Sequence, residues 1–230
     1  VWNPETDRLI PANFRATSLI GKGQCKRELQ AQMGLAQDAA VPLFGMVTRL
    51  AAQKGTGLLR EALPAALNEM QLQLVVLGSG DHDDENFFRW LARSYPGRVA
   101  VEIGFSEELS HRIQAGSDFF LMPSLFEPCG LSQLYALRYG TLPVVNATGG
   151  LEDTIIQYNQ GEGQGTGFKF YTPEANALRA TIGWAVSTWY DRPSHVTLMR
   201  EQAMQQRFEW EASARKYLDV YRRAVAKRGG

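Results

Sequence analysis

The chain has 230 residues, and its 24 Lys and Arg balance its 24 Asp and Glu, so no net charge marks it as a partner of nucleic acid or of an acidic membrane. Apolar residues make up 44% and charged residues 21%, a globular balance that excludes a disordered or collagen-like chain. No apolar run approaches the roughly 18 residues of a membrane span, and the opening VWNPETDRLIP lacks the layout of a signal peptide.

Residues 1–40 are turn-rich, with Pro4, Pro11, Gly21, Gly23 and Gly34, and hold one helix of mixed polarity over 22–33. LFGMVTR (43–49) is a compact apolar run, the pattern of a buried strand. Leu58, Leu59, Leu63, Ala66 and Leu67 recur at helical spacing and predict a helix over 55–70. LQLVVLG (72–78) reads as a strand, and 84–95 as a helix capped by Asp83 or Asp84. A strand follows at 99–103, a helix at 107–115, a strand at 119–123 and a helix at 130–139. Then come a strand at 142–145, a short helix at 151–158 and a glycine-rich loop, GEGQGTG (161–167). Helices over 172–190, 194–208 and 209–228 complete the chain, the last with Arg215, Lys216, Arg222, Arg223, Lys227 and Arg228 on a solvated face.

Strands alternating with helices imply βαβ units and a parallel sheet. Near-continuous apolar strands imply helices on both faces. The fold class expected is therefore α/β, a doubly wound Rossmann-like sheet of about five or six strands. No linker divides the chain, so 1–230 reads as one domain: a leading segment (1–40), a sheet core (43–170) and C-terminal helices (172–230). Val1 stands where an initiator Met would, so the chain is expected to be an excised or processed piece. Cys25 and Cys129 make no disulfide framework; both are expected to be reduced, which suits a cytosol-like compartment. His82, His111 and His195 are scattered, and no metal is expected.

In such a sheet, ligands bind beyond the carboxyl ends of the strands. After the first strand stand Arg49 and Lys54, the latter just before Gly55 and a helix. Two cations beside a helix start suit a pyrophosphate, with Arg as a bidentate donor and Lys as a point charge. After the second strand, GSGDHDDE lacks the third glycine of a dinucleotide fingerprint, and its carboxylates would repel phosphate, so it reads as a turn and an acidic helix cap. GKGQCK (21–26) resembles a P-loop fragment but lacks its spacing and its leading strand. Phe105 ends the third strand, where a base could stack or a core aromatic could sit.

The most specific stretch follows the fourth strand: PSLFEPCGLSQL (123–134). Pro123 and Pro128 stiffen a turn that presents Glu127, and Gly130, Leu131 and Ser132 open a helix toward the same crevice. Glu127 could accept hydrogen bonds from sugar hydroxyls, or simply complement the helix dipole. After the fifth strand, Thr148-Gly149-Gly150 forms a turn where backbone can approach a ligand, or an ordinary turn.

TRLAAQKG (48–55), VVLGSGD (75–81), RVAVEIGF (98–105), FEPCGLSQLYALRYGTLPVV (126–145), ATGGLEDT (147–154), GTGF (165–168) and FEWEASARKYLDVYR (208–222) follow WNPETD (2–7) in this order. Together they closely resemble the C-terminal half of bacterial glycogen synthases and plant starch synthases, which are retaining glucosyltransferases of two-domain GT-B architecture. The resemblance covers nearly the whole chain. It implies that Arg49 and Lys54 grip the donor's pyrophosphate and that Glu127 contacts the donor glucose. It implies that Cys129, Gly130 and Leu131 pack against that sugar, that Ser132 stands near the phosphates in place of a common Thr, and that Gly149 and Gly150 border the ligand. Phe105 stands where Tyr commonly stacks on adenine. Many related transferases carry a second Glu eight residues after the first, where this chain has Tyr135; Asn146-Ala147 replaces a usual basic pair.

The resemblance implies transfer of glucose from ADP-glucose to the non-reducing end of an α-1,4-glucan, with retention, no cofactor and release of ADP. Its N-terminal Rossmann half supplies a Lys-x-Gly-Gly-Leu loop, a His near the sugar and most of the acceptor groove, and that half is missing from these residues. The isolated chain is then expected to bind donor without turnover, in a bacterial cytoplasm or a plastid stroma. Two alternatives stand beside this one: a non-catalytic nucleotide- or glucan-binding module, and a GT-B enzyme with another donor such as UDP-glucose.

Overall fold

The computed structural model describes residues 2–208 and 210–228. Five strands follow the predicted rhythm: β1 (Leu43–Val47), β2 (Gln73–Gly78), β3 (Val99–Ile103), β4 (Phe119–Met122) and β5 (Leu142–Asn146). A sixth, β6 (Phe168–Phe170), joins them. The sheet order is β3-β2-β1-β4-β5-β6 and every pair is parallel. The chain therefore winds outward from β1 to β3, returns to lay β4 beside β1, and winds outward the other way. The β1–β4 junction is the topological switch point, where such sheets hold their ligands.

Side-chain alternation along the strands sorts the core into two layers. Phe44, Met46, Leu74, Val76, Phe119 and Leu121 pack on one face with Leu59, Leu63 and Leu67 of α2 (Thr56–Glu69), Phe88 and Leu91 of α3 (His82–Ser94) and Leu178 and Ile182 of α7 (Ala175–Asp191). Leu43, Val75, Leu77 and Phe120 pack on the other with Leu29 of α1 (Ile20–Gln32) and Leu109 and Ile113 of α4 (Glu107–Gly116). The remaining helices are α5 (Ser132–Arg138), α6 (Gly149–Thr154), α8 (Pro193–Gln205) and α9 (Trp210–Arg228).

The GKGQCK lysines sit in α1 at the opposite edge of the sheet from the strand ends. Lys26 Nζ donates to Asp118 Oδ2 at 2.7 Å, just before β4, and Arg200 donates to Asp118 Oδ1 at 2.6 Å. Burial alone would raise the Asp118 pKa, but Lys26 and Arg200 outweigh it and hold the carboxyl below its ordinary value. Burial pushes Lys22 well below the ordinary lysine value, with Arg200 adding to it; its Nζ donates to Thr141 Oγ1 and the Ala115 carbonyl. These amines are structural donors, in line with the rejected P-loop reading. In the leading segment, Trp2 stacks on His111 and Tyr135, with ring centroids 3.6 and 4.2 Å apart. Asp7 accepts from the Tyr139 hydroxyl and from His111.

Several elements differ from the sequence reading. The N-cap of α3 is Asp81, whose side chain accepts from the Asp83 amide, because the helix begins at His82. The helix predicted at 151–158 runs instead over Gly149–Thr154. Its end at Ile155 follows from pairing: the Ile156 carbonyl accepts from Thr166, and the Tyr158 amide donates to the Gly167 carbonyl. That pairing leads into β6, a three-residue strand too short to show alternation. The predicted helix start at Glu209 lies outside the described residues, as do the side chains of Arg215 and Lys216. Arg222, Arg223, Lys227 and Arg228 are exposed.

Candidate functional site

The chain leaves β1 through Thr48 and Arg49 into a 3-10 turn over Ala52–Lys54, closed by Gly55 in the left-handed conformation (φ 76°). A Cβ on Gly55 would strike the Pro123 carbonyl, so only glycine lets the β1 loop lie against the turn after β4. The Leu125 amide donates to the Gln53 carbonyl at 2.8 Å, and Gln53 Nε2 donates to the Phe126 carbonyl at 3.2 Å. This seam brings two predicted residues together. Lys54 Nζ lies 2.5 Å from Glu127 Oε2, with side chains only 17% and 10% exposed.

The turn that carries Glu127 is fixed by its neighbours. Gln133 Nε2 donates to the Cys129 and Gly130 carbonyls at 2.8 and 3.1 Å. Ser124 Oγ lies 3.2 Å from Glu127 Oε2, and Asn146 Nδ2 donates to the Ser124 carbonyl at 2.9 Å. The Gly150 amide donates to the Glu127 carbonyl, and a Cβ on Gly150 would overlap the Cys129 carbonyl.

Two cavities open at the switch point. One, of about 70 Å³, is lined by Thr48, Lys54, Ser124, Glu127, Gly130, Leu131 and Ser132, among others. The second, of about 240 Å³, is lined by Arg49, Gly78, Ser79, Gly104, Phe105 and Ser110, among others. Val47 and Thr48 line both, so the two cavities adjoin at the end of β1, and together they are called the trough. A carboxylate and an amine stand at one end, a guanidinium in the second cavity, and Phe105, 91% exposed, beside it. Arg49 makes no hydrogen bond or ion pair among the described residues. A larger hollow of about 520 Å³ lies between α2 and the start of α7, and none of these residues lines it.

The trough gathers Arg49, Lys54, Phe105, Glu127, Gly130, Leu131 and Ser132. It does not gather three other candidates. Gly149 and Gly150 line neither cavity; a Cβ on either would run into the Glu127–Cys129 backbone, so they shape the turn from behind. Cys129, which the resemblance sets against the donor sugar, has an exposed side chain and lines neither cavity, because Gln133 fills the inside of the turn. Tyr135, at the place of the second Glu, faces Trp2 and not the trough. Sequence reasoning missed Gln53 and Ser124, and it marked Asn146 only as a departure from a usual basic pair. Ser124 carried a usable signal, a hydroxyl three residues before the carboxylate in a Pro-bounded turn; Gln53 carried none, and the role of Asn146 stayed hidden, since their partners are main-chain carbonyls distant in sequence.

Residues 31–203 match the family model described as Glycosyl transferases group 1. The chain belongs to that family. Within the group 1 transferases, glycogen synthase 1 of Geobacter metallireducens is 48% identical over 229 residues, which are 100% of this chain and 45% of that protein. Glycogen synthase of Bacillus cereus is 47% identical over 222 residues, 96% of this chain and 46% of that protein. The chain spans about half the length of the curated relatives it matches. Among solved structures, the catalytic domain of starch synthase IV from Arabidopsis thaliana, bound to ADP and acarbose, superposes with a TM-score of 0.88 at 34% identity, covering 98% of this chain and 47% of that one. The fold is that of the C-terminal domain of a GT-B glycosyltransferase of the group 1 family.

Proposed function

We propose that this chain is the donor-binding half of a glycogen- or starch-synthase-type glucosyltransferase. Its reaction is transfer of glucose from ADP-glucose to the non-reducing end of an α-1,4-glucan, with retention and release of ADP. The observation that carries the reading is the trough at the β1–β4 switch point, with Phe105 and Arg49 in one arm and Lys54 and Glu127 in the other. Such a trough suits a nucleoside diphosphate sugar: the base against the exposed ring, the diphosphate across the end of β1, the sugar hydroxyls on the carboxylate. The glycogen synthase relatives and the ADP-bound starch synthase neighbour support the same donor class.

The chemistry follows from charge. As the bond between the sugar's anomeric carbon and the diphosphate breaks, negative charge grows on the leaving diphosphate. Arg49 and Lys54 stabilise it, a preorganised electrostatic contribution of the kind that dominates many enzyme rate enhancements. Glu127 accepts from the sugar hydroxyls and fixes the anomeric carbon in place. The residues named here supply donor contacts only, so the glucan and the rest of its groove belong to a further domain. Incubation of the purified chain with ADP-glucose and a maltooligosaccharide tests this division. The expected result is donor binding without elongation; elongation by this chain alone would contradict it.

A further inference from the structure

Among the described residues Glu127 is the one carboxylate that lines the trough, and the two groups on its Oε2 come from different elements. Lys54 Nζ reaches it from the β1 loop at 2.5 Å. Ser124 Oγ reaches it from its own turn at 3.2 Å. Glu127 Oε1 makes no hydrogen bond among the described residues. The two contacts are not equivalent. Lys54 is a flexible point charge that an incoming diphosphate would draw toward itself. Ser124 is a short, buried side chain on the same rigid turn, so it stays with Glu127 when Lys54 is engaged elsewhere.

Ser124 is in turn held across the sheet. Asn146, the last residue of β5, is buried and donates through Nδ2 to the Ser124 carbonyl at 2.9 Å. A basic side chain at this place would add charge near the trough. The amide instead ties the turn to the neighbouring strand without charge, which accounts for the Asn that the sequence presents there.

We propose that Ser124 and Asn146 are positioning residues for Glu127: Asn146 holds the Ser124 backbone, and the Ser124 hydroxyl holds one carboxylate oxygen so that the other meets the sugar of the donor. This rests on the nucleotide-sugar reading given above. It makes a claim that reading does not, that the two residues act on the sugar and not on the nucleotide.

The test compares ADP with ADP-glucose by calorimetry on the wild-type chain, Ser124→Ala, Ser124→Thr and Asn146→Ala, with thermal midpoints measured alongside. The ratio of the two dissociation constants reads the sugar contact alone. In Ser124→Ala, ADP affinity is expected to stay at the wild-type value while the advantage of ADP-glucose shrinks by about three- to tenfold, the range for the net loss of one ordinary hydrogen bond. Ser124→Thr restores the advantage, and Asn146→Ala reduces it in the same direction. A merely structural role would instead lower the thermal midpoint and weaken both ligands together. Equal weakening of the two, or an unchanged ratio in both Ser124→Ala and Asn146→Ala, overturns the positioning role and leaves the nucleotide-sugar reading standing. A wild-type chain that binds neither ligand overturns that reading, and the proposal with it.

Discussion

At the scale of single residues, the trough and the opposite edge of the sheet use charge in contrary ways. Arg49 is exposed and unengaged among the described residues, as the proposed diphosphate contact requires. A hydrogen bond to a charged group contributes about 1.5–3 kcal/mol, so Arg49→Ala is expected to weaken ADP binding by that amount in a titration, with no change in the thermal midpoint. Phe105 carries a parallel expectation: base stacking on an aromatic is worth about 1–3 kcal/mol per base, so Phe105→Ala should weaken ADP measurably while Phe105→Tyr should not. Asp118 is the contrary case. It is the buried carboxylate shared by Lys26 and Arg200, and its removal leaves a buried lysine and a largely covered arginine without their shared counter-charge. Breaking a buried pair this way costs about 3–5 kcal/mol, which urea unfolding of Asp118→Ala would register directly. An Asp118→Ala chain as stable as wild type would show that these ion pairs contribute no net stability.

At the scale of elements, the site exists because two loops are close-packed against each other. Gly55 is the hinge of that packing: a side chain there meets the Pro123 carbonyl, and its left-handed backbone costs a non-glycine residue about 1–2 kcal/mol. Gly55→Ala is therefore expected to lower stability by at least that much and to weaken ADP binding as well, since Lys54 moves with the loop. The five longer strands and the helices between them were legible in the sequence, because buried parallel strands are apolar runs of unambiguous length. So was the cluster of Arg49, Lys54, Phe105 and Glu127, because strand ends in such a sheet converge. What was not legible has a common cause. β6 is three residues long, the α3 cap lies two residues before the acidic run that signalled it, and Gly149 and Gly150 look alike whether they face a ligand or a neighbouring backbone. Cys129 was misplaced for the same reason: the sequence does not say that Gln133, four residues on, fills the turn.

At the scale of the whole molecule, the sheet separates two functions. Its carboxyl edge carries the trough, and its amino edge carries the buried Lys22, Lys26, Asp118 and Arg200 network. That separation gives the fold a pH signature. Asp7 and Asp118 both have folded pKa values below the ordinary one: burial would raise each, but hydrogen bonds from Tyr139 and His111 at Asp7, and the charges of Lys26 and Arg200 at Asp118, outweigh it. Below about pH 3.9 the unfolded carboxylates bind protons that the folded ones do not. Their stabilisation is thus full above that value and is lost as pH falls through the lower folded values. Urea midpoints measured from pH 6 downward should drop steeply over this window in the wild-type chain and less steeply in Asp118→Asn.

Calorimetric titration of the chain with ADP, with UDP as the control, decides whether the trough at the β1–β4 junction is an adenine-nucleotide sugar site. Saturable binding of ADP that Arg49→Ala weakens is expected, with markedly weaker binding of UDP. Equal binding of the two nucleotides, or ADP binding indifferent to Arg49→Ala, would contradict that assignment.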